Sequence, residues 1–370
     1  MRAAKNNRIP GKHHIIMILI PFIPAVIVFM CVRLAVRHPA VVEQSYSESI
    51  YPVIAKSLSF FSNLVPFSIW DLFWILFTAG LLSGLILAVF KTVRWGWYIL
   101  RLAQLLALMY AFFYLSWGFN YFRPPLETRA GWKKPVTDEG MFRSILDSVI
   151  IQSNKKYVQI SGADYSLVDN LVEKSYEKNR NILGIHYPNG FRRPKKMIFS
   201  SYFVKSGISG YFGPFFNEIQ LNKYVFLPDF PFLLAHEKAH QFGIASEAEA
   251  NMAAFIVCTT STDRRLQYSG YMYLLLYFLK DAEQMTDYHE IIGKIDKRVI
   301  TDIRSREKYY RALQNKTLEN MQTAVNDLYL KSNHITKGVK NYNQVVTLVI
   351  TWYFNSDLIR ETHSYDRIGS

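Results

Sequence analysis

Residues 232–251 read FLLAHEKAHQFGIASEAEAN and hold the only HExxH pattern in the chain, at 236–240. On a helix, His236 and His240 lie one turn apart on the same face, so both imidazoles can bind one metal ion. Glu237 lies at the edge of that face, beside the metal. There it can act as the general base toward a water activated by zinc. The stretch therefore predicts a catalytic Zn²⁺ site on a helix.

The sequence also marks both ends of this helix. Asp229 is the predicted N-cap, and Pro231 is tolerated in the first turn, where backbone N–H groups have no helical partner. Gly243 stands where a C′ glycine ends a helix. We therefore expect a short helix, then a tight turn, then a second helix that begins at SEAEAN.

A catalytic zinc ion needs three protein ligands and one open position, so one more ligand is required. Two carboxylates follow the glycine turn, Glu247 and Glu249. Glu247 is favoured because Asn251 lies one helical turn further on, where its amide can support a ligand histidine. Glu249 has a structural explanation, since Ser246 and Glu249 have the spacing of a capping box. It stays open as an alternative ligand.

The block HEKAH followed by EAEAN resembles the zincin metallopeptidases of the gluzincin type. In that group a second helix carries E-x-x-x-D or E-x-x-x-N. The resemblance implies that His236, His240 and Glu247 are the ligands. It also implies that Glu237 is the general base and that Asn251 supports a ligand histidine.

Two features separate this chain from neighbouring patterns. Glu247 follows His240 much more closely than the third ligand does in most gluzincins. HEKAHQFG also resembles the start of the metzincin pattern, HExxHxxG. However, Ser246 stands where metzincins have their third histidine, so the gluzincin resemblance is the better one.

Apolar residues make up 50% of the chain and are concentrated before residue 120. Three stretches are long and apolar enough to cross a bilayer, at about 15–32, 66–90 and 102–121. Ser68 and Asp71 have capping spacing, which places Asp71 near the start of the second span. A membrane region over 1–121 is therefore expected, with the lipid bilayer as a partner.

The basic residues of this region predict its orientation. Arg2, Lys5, Arg8 and Lys12 precede the first span, and Lys91 and Arg94 lie between the second and third. The positive-inside rule places both groups in the cytoplasm, so the chain after the third span is extracytoplasmic in a multi-pass membrane protein. A cleaved signal peptide is the alternative for the first span, although no clear small-residue cleavage site follows.

The net charge of +14 does not indicate nucleic-acid binding. Basic residues are dispersed among acidic ones, with no recognition motif and no long basic tract. An anionic membrane or cell wall beside the domain explains the charge better. The two cysteines, Cys31 and Cys258, form no motif.

A proline-rich, charged segment at 122–135 reads as a linker, and 136–370 as one globular domain. Helices are expected at 140–160 and 165–183, and strands at KKMIFSSYF (195–203) and GPFFNEIQLNKY (213–224). A strand just before an HExxH helix can bind a peptide backbone by β-addition. Glu218 and Asn222 are interpreted as parts of a solvated strand face.

Three tyrosines on a predicted buried helix are candidates to hydrogen-bond the oxyanion of a tetrahedral intermediate: Tyr268, Tyr271 and Tyr273. Tyr271 is the preferred candidate. Packing in the core, with a satisfied hydroxyl, is the ordinary role for any one of them.

Motifs along most of the chain resemble a bacterial multi-pass membrane family of unknown function. They are YSESIYP (46–52), PFSIWD (66–71), GFNYFRPP (118–125), GYFGPFFNE (210–218), the HEKAH to EAEAN block and NDLYLKSNHITKGVKNY (326–342). This resemblance implies three membrane helices followed by a zincin-like domain, and it supplies no substrate.

The predicted fold is mainly α: three N-terminal transmembrane helices, then an α+β zincin-like domain with a small sheet and a helical C-terminal part. The predicted function is a membrane-anchored zinc metallopeptidase that cleaves an unidentified extracytoplasmic peptide or protein. A non-catalytic zinc-binding receptor or scaffold is the alternative. A transporter would need facing polar groups within the spans, and the sequence offers few. The oligomeric state stays open.

Overall fold

The computed structural model describes residues 12–162, 164–190, 192–333 and 344–366, with side chains from 16 to 356. Over these residues the protein is mainly helical with one small sheet, as predicted. The basic residues Arg2, Lys5 and Arg8 lie outside the described residues, as does the part of the last family motif from 334 onward.

Helices dominate both halves of the chain. The first half contains α1 (Lys12–Leu19), α2 (Ile23–Ala35), α3 (Pro39–Val42), α4 (Tyr51–Ser62), α5 (Ile69–Val89), α6 (Trp95–Ser116), α7 (Leu126–Arg129), α8 (Glu139–Lys156) and α9 (Tyr165–Asn179). The second half contains α10 (Ser200–Lys205), α11 (Phe230–Gln241), α12 (Glu247–Thr259), α13 (Arg264–Ala282), α14 (Tyr288–Gly293), α15 (Lys297–Leu313), α16 (Lys316–Ser332) and α17 (Val345–Asp366).

Three helical stretches are long and apolar enough to cross a membrane: Ile16–Ala35, Ile69–Val89 and Trp95–Ser116. The three predicted spans are therefore confirmed. The third begins at Trp95 rather than at 102, because Arg94 has an extended backbone and the helix starts directly after it, with Trp95 and Trp97 in its first turn. It ends at Ser116, where the chain enters a 3-10 turn, Gly118–Phe122.

The sheet has three short strands, β1 (Lys195–Lys196), β2 (Gly210–Gly213) and β3 (Glu218–Leu221), in the order β1-β3-β2. The central strand β3 runs parallel to β1 and antiparallel to β2. The prediction of a strand over 195–203 is wrong beyond its first two residues. The N–H of Ile198 donates to the Asp71 carboxylate instead of to a strand, and α10 follows.

The start of the second span is bonded directly to the sheet. Ser68 Oγ accepts from the N–H of Asp71, which confirms the predicted cap of the second span. Glu218 is buried; it pairs with Lys195 and accepts from the backbone N–H of Trp70, 3.0 Å away. Its carboxylate thus satisfies an unpaired donor at the start of α5. The interpretation of Glu218 as a solvated residue is wrong, and Asn222 is buried too.

The segment 122–135, predicted as a linker, is packed into the fold. Arg123 forms a bidentate pair with Glu43 and donates to the carbonyl of Gly243, 3.0 Å away. Arg129 pairs with Glu249, and Leu126 is fully buried. In a flexible spacer these arginines would contact solvent, but here they bond to protein groups. The segment therefore joins the membrane region firmly to the domain.

Candidate metal centre

Helix α11 carries the HExxH residues through the centre of the domain core, and all of its residues are buried. Gly243 ends it with φ +82°, a conformation that favours glycine. Asp229 precedes the helix, but its carboxylate makes no capping bond. It accepts instead from Arg306 Nε at 2.7 Å and from the Tyr310 hydroxyl at 3.0 Å.

The structure brings His236, His240 and Glu247 together at the junction of α11 and α12. Glu247 Oε2 lies 3.1 Å from His236 Nε2 and 3.5 Å from His240 Nε2, and the two Nε2 atoms are 3.2 Å apart. The three candidate ligand atoms all lie within 4.8 Å of one another. Two imidazole nitrogens and one carboxylate oxygen form a donor set that suits zinc.

The other ring nitrogen of each histidine has a hydrogen-bond partner. His240 Nδ1 lies 2.7 Å from the carbonyl oxygen of Ile244, and His236 Nδ1 lies 2.9 Å from Asn251 Oδ1. Because both partners are oxygens that accept, each imidazole carries its proton on Nδ1. The two Nε2 atoms are then the ring nitrogens left to bind a metal ion. Asn251 thus occupies the supporting position that its spacing suggested.

Glu249 points away from this cluster. Its carboxylate accepts from Arg129 Nη2 at 2.6 Å and from the N–H of Leu126 at 3.1 Å. As an alternative ligand it is therefore wrong, and it does not close the predicted capping box either. Ser246 does cap α12, since its side chain accepts from the N–H of Glu249. Residues that are two positions apart on a helix point to opposite sides of it. Glu247 and Glu249 therefore cannot share the site.

The Glu237 carboxylate lies beside the cluster in the wall of a cavity of about 520 Å³. Within the described part of the chain, no side chain forms an ion pair or hydrogen bond with it. Burial raises the pKa of Glu237, and His236 and His240 oppose this rise. Glu237 is thus a buried carboxylate that faces the cavity and has a raised affinity for a proton.

Charge interactions hold the three candidate ligands together. Burial alone would lower the pKa of His240, but Glu247 and Glu237 outweigh burial and raise it to about 9. Burial would raise the pKa of Glu247, but the two histidines hold it far below its usual range. The carboxylates of Glu237 and Glu247 are both buried here. A bound divalent cation can neutralise their negative charge.

Strand β2 forms one side of the cavity and is an edge strand. Strand β2 was not among the predicted strands, because Gly210 and Gly213 suggest a turn more than a strand. The strand predicted to bind peptide backbone, β3, lies at the centre of the sheet and has no free edge. Backbone groups on the open side of β2 are therefore the ones available to an extended peptide.

Of the three tyrosine candidates, only Tyr273 lines the cavity. Tyr271 packs edge-on against Phe255 on another face of α13, and the Tyr268 hydroxyl donates to Asp302. The preference for Tyr271 is therefore wrong. Tyr277 also lines the cavity. It could have been found in the sequence, because Tyr273 and Tyr277 are one helical turn apart.

Lys238, between the two histidines, is fully buried on the opposite side of α11. Its ammonium group lies 2.8 Å from Asp169 Oδ1 and also pairs with Glu173. Glu173 in turn accepts from Arg192 Nη2 at 2.9 Å. This cluster fixes the back of α11 and so orients its front face. This cluster could not be predicted from sequence, because its members are distant along the chain.

A family model described as protein of unknown function (DUF3810) matches residues 46–350. The match spans most of the chain, so the chain belongs to this family. The resemblance to a membrane family of unknown function is confirmed to that extent. No curated protein and no solved structure matches the chain.

Proposed function

We propose that this member of the DUF3810 family is a membrane-anchored zinc metallopeptidase that hydrolyses peptide bonds. The observation that carries the proposal is the Glu237 carboxylate. It is buried, has no partner among the described residues, and faces a cavity beside three convergent candidate ligands. In a structural site this carboxylate would be engaged in an ion pair. A general base needs it free and directed toward the substrate.

The residues present fit a zinc ion. His236 Nε2, His240 Nε2 and a carboxylate oxygen of Glu247 would hold it, and the cavity provides the open side that a catalytic site needs. When bound, zinc would supply Lewis-acid chemistry, polarising a carbonyl oxygen and lowering the pKa of a water.

The chain's own groups would handle the proton and the substrate. A Glu237 carboxylate oxygen takes the proton from the attacking water and returns it to the leaving amine nitrogen, so the carboxylate is regenerated in each cycle. The open edge of β2 aligns an extended peptide through backbone hydrogen bonds. Burial raises the pKa of Tyr273 to about 12, so its hydroxyl stays protonated and can donate to the developing oxyanion.

The proposed location is the extracytoplasmic side of a cell membrane. The domain contacts the start of the second span and the end of the third, which lie on one side of the bilayer. Lys91 and Arg94 lie at the opposite ends of these spans, where the positive-inside rule favours the cytoplasm.

This geometry gives little support to the alternative function, a non-catalytic zinc-binding receptor or scaffold. A closed structural zinc site has four protein ligands, and Glu249, the further carboxylate available for that role, pairs with Arg129.

The test is cleavage of a peptide library by the full-length protein in detergent, with and without a chelator. We expect Glu237→Gln to lower the rate by about 10²–10⁴-fold, because it removes the general base. Glu177→Gln is the matched control, since Glu177 is exposed on α9 and does not line the cavity. An uncleaved library, or a Glu237→Gln variant as active as wild type, would contradict the proposal.

A further inference from the structure

Helix α16 (Lys316–Ser332) is amphipathic, but its polar face points inward and its apolar face points outward. An ordinary surface helix has the opposite arrangement. Its polar residues Glu319, Gln322 and Asn326 face the cavity beside the candidate metal centre. Its apolar residues face outward: Met321, Val325 and Leu328 are 62%, 61% and 71% exposed. Their spacing places them along one stripe. A lone exposed leucine is ordinary, but a stripe over two turns indicates a surface that is covered in the cell.

Contacts with the membrane region fix where this helix lies. At its C-terminal end, Asn333 Oδ1 accepts from the hydroxyl of Tyr114, 3.2 Å away, in the last turn of the third span. Tyr329 is bonded to Tyr121, five residues beyond the end of that span at Ser116. The helix is therefore attached at the depth where the third span leaves the bilayer.

A second apolar patch lies at the same level. Ile198, Phe199 and Tyr202 are each about half exposed, on the segment that leads into α10. The N–H of Ile198 donates to the carboxylate of Asp71, in the first turn of the second span. This patch and the stripe on α16 are thus each bonded to the outer end of a different span.

The cavity itself begins at this level. Trp117 and Tyr121, which follow directly after the third span, are among its lining residues. The indole of Trp117 donates to the carbonyl of His240, 2.8 Å away, so a candidate metal ligand is bonded to the end of a membrane helix. The candidate site is therefore built at the bilayer surface and not at the far end of the domain.

We propose that the outward stripe of α16 and the α10 patch rest in the bilayer interface. The cleft would then receive peptide segments that emerge from, or are anchored in, the same membrane. The inference about the substrate rests on the proposed peptidase function. A bilayer is favoured over a protein partner because both patches are continuous with the spans through direct hydrogen bonds. An apolar helix face in the interface is stabilised by the area it buries.

The first experiment measures the depth of α16 in vesicles. Val325→Cys and Leu328→Cys are made in a Cys31→Ser background, because Cys31 is exposed whereas Cys258 is buried. The full chain is labelled with an environment-sensitive fluorophore. It is then reconstituted in phosphatidylcholine and phosphatidylglycerol vesicles with or without nitroxide lipids. Asn320→Cys, on the same helix but outside the stripe, is the matched control.

We expect blue-shifted emission at 325 and 328 and stronger quenching by a shallow than by a deep nitroxide, as for an interfacial helix at a depth of about 5–10 Å. The label at 320 should respond weakly. Water-like, unquenched emission at both stripe positions would overturn the proposal. So would emission that is blue-shifted but insensitive to nitroxide lipids, because a protein partner or second copy would then cover the stripe.

The second experiment compares one peptide sequence free in solution and attached to vesicles by an acyl chain. Tethering should raise kcat/KM by at least about tenfold, because it concentrates the substrate at the cleft. Equal rates would overturn the substrate part of the proposal. If neither peptide is cleaved while α16 is quenched as expected, the peptidase function fails and the membrane contact stands.

Discussion

Gly210 on strand β2 lies directly against the Glu237 carboxylate. A Cβ at this position would come within 2.5 Å of Glu237 Oε1. Gly210→Ala should therefore displace the carboxylate, which is the free end of a flexible side chain, and leave the backbone in place. We expect a fall in cleavage rate approaching that of Glu237→Gln, with metal content and thermal unfolding close to wild type. A fully active Gly210→Ala variant would show that the carboxylate position does not matter.

Glu173 provides a test of stability against pH. Burial alone would raise its pKa, but Lys238 and Arg192 outweigh burial and hold it at about 2, below the unfolded value of 4.5. Its stabilising contribution is therefore present above about pH 4.5 and is lost as the pH falls toward 2. Glu173→Gln should lower the free energy of unfolding at pH 7 by about 3 kcal/mol.

Denaturant unfolding of the full chain in detergent, repeated from pH 7 to pH 2, measures this contribution. The difference between wild type and Glu173→Gln should shrink as the pH falls. Glu177→Gln, at an exposed position on the same helix, is the control and should change stability by no more than about 0.5 kcal/mol. A difference that is constant across this range would refute the assignment.

At the scale of elements, helix α11 is held by the membrane region. Its final carbonyl groups lack helical partners. The Tyr51 hydroxyl donates to the carbonyl of Gln241, 2.7 Å away, and accepts from Asn217 Nδ2 at 3.1 Å. Tyr51→Phe leaves both groups buried and unpaired, which should cost about 1–3 kcal/mol of stability.

Thermal or denaturant unfolding of the full chain measures this loss. Tyr202→Phe serves as the control, because Tyr202 is 55% exposed and its side chain lies outside the contacts that hold α11. If Tyr51→Phe were as stable as Tyr202→Phe, the bond from the membrane region would not support α11.

The elements that could be predicted from sequence are those whose signals are local. The three spans follow from continuous apolar runs, and α11 and α12 follow from HExxH, Gly243 and the cap at Ser246. Strand β2 could not be predicted, because its glycines serve the close approach of Glu237 and Trp70 rather than strand formation. The surroundings of the Glu218 and Glu249 carboxylates could not be predicted, because their partners are distant in sequence: Trp70 and Lys195 for Glu218, and Leu126 and Arg129 for Glu249.

At the scale of the whole molecule, the membrane region and the domain form one structure. Tyr51, Trp117 and Arg123 each donate to a carbonyl at the C-terminal end of α11 or in the turn that follows it. The sequence suggested a domain that begins after a linker, because a proline-rich charged segment usually marks a boundary. The buried ion pairs of Arg123 and Arg129 are tertiary contacts, which composition does not reveal. Measurements of the site should therefore be made on the full-length protein.

Metal content is the most direct test of the central claim. The full-length protein, purified in detergent without chelators, is analysed by mass spectrometry beside Glu237→Gln and His240→Ala. Wild type and Glu237→Gln should each hold about one zinc per chain, and His240→Ala should hold almost none, because it removes one of three ligands. A wild-type protein that is folded and contains no metal would contradict the account.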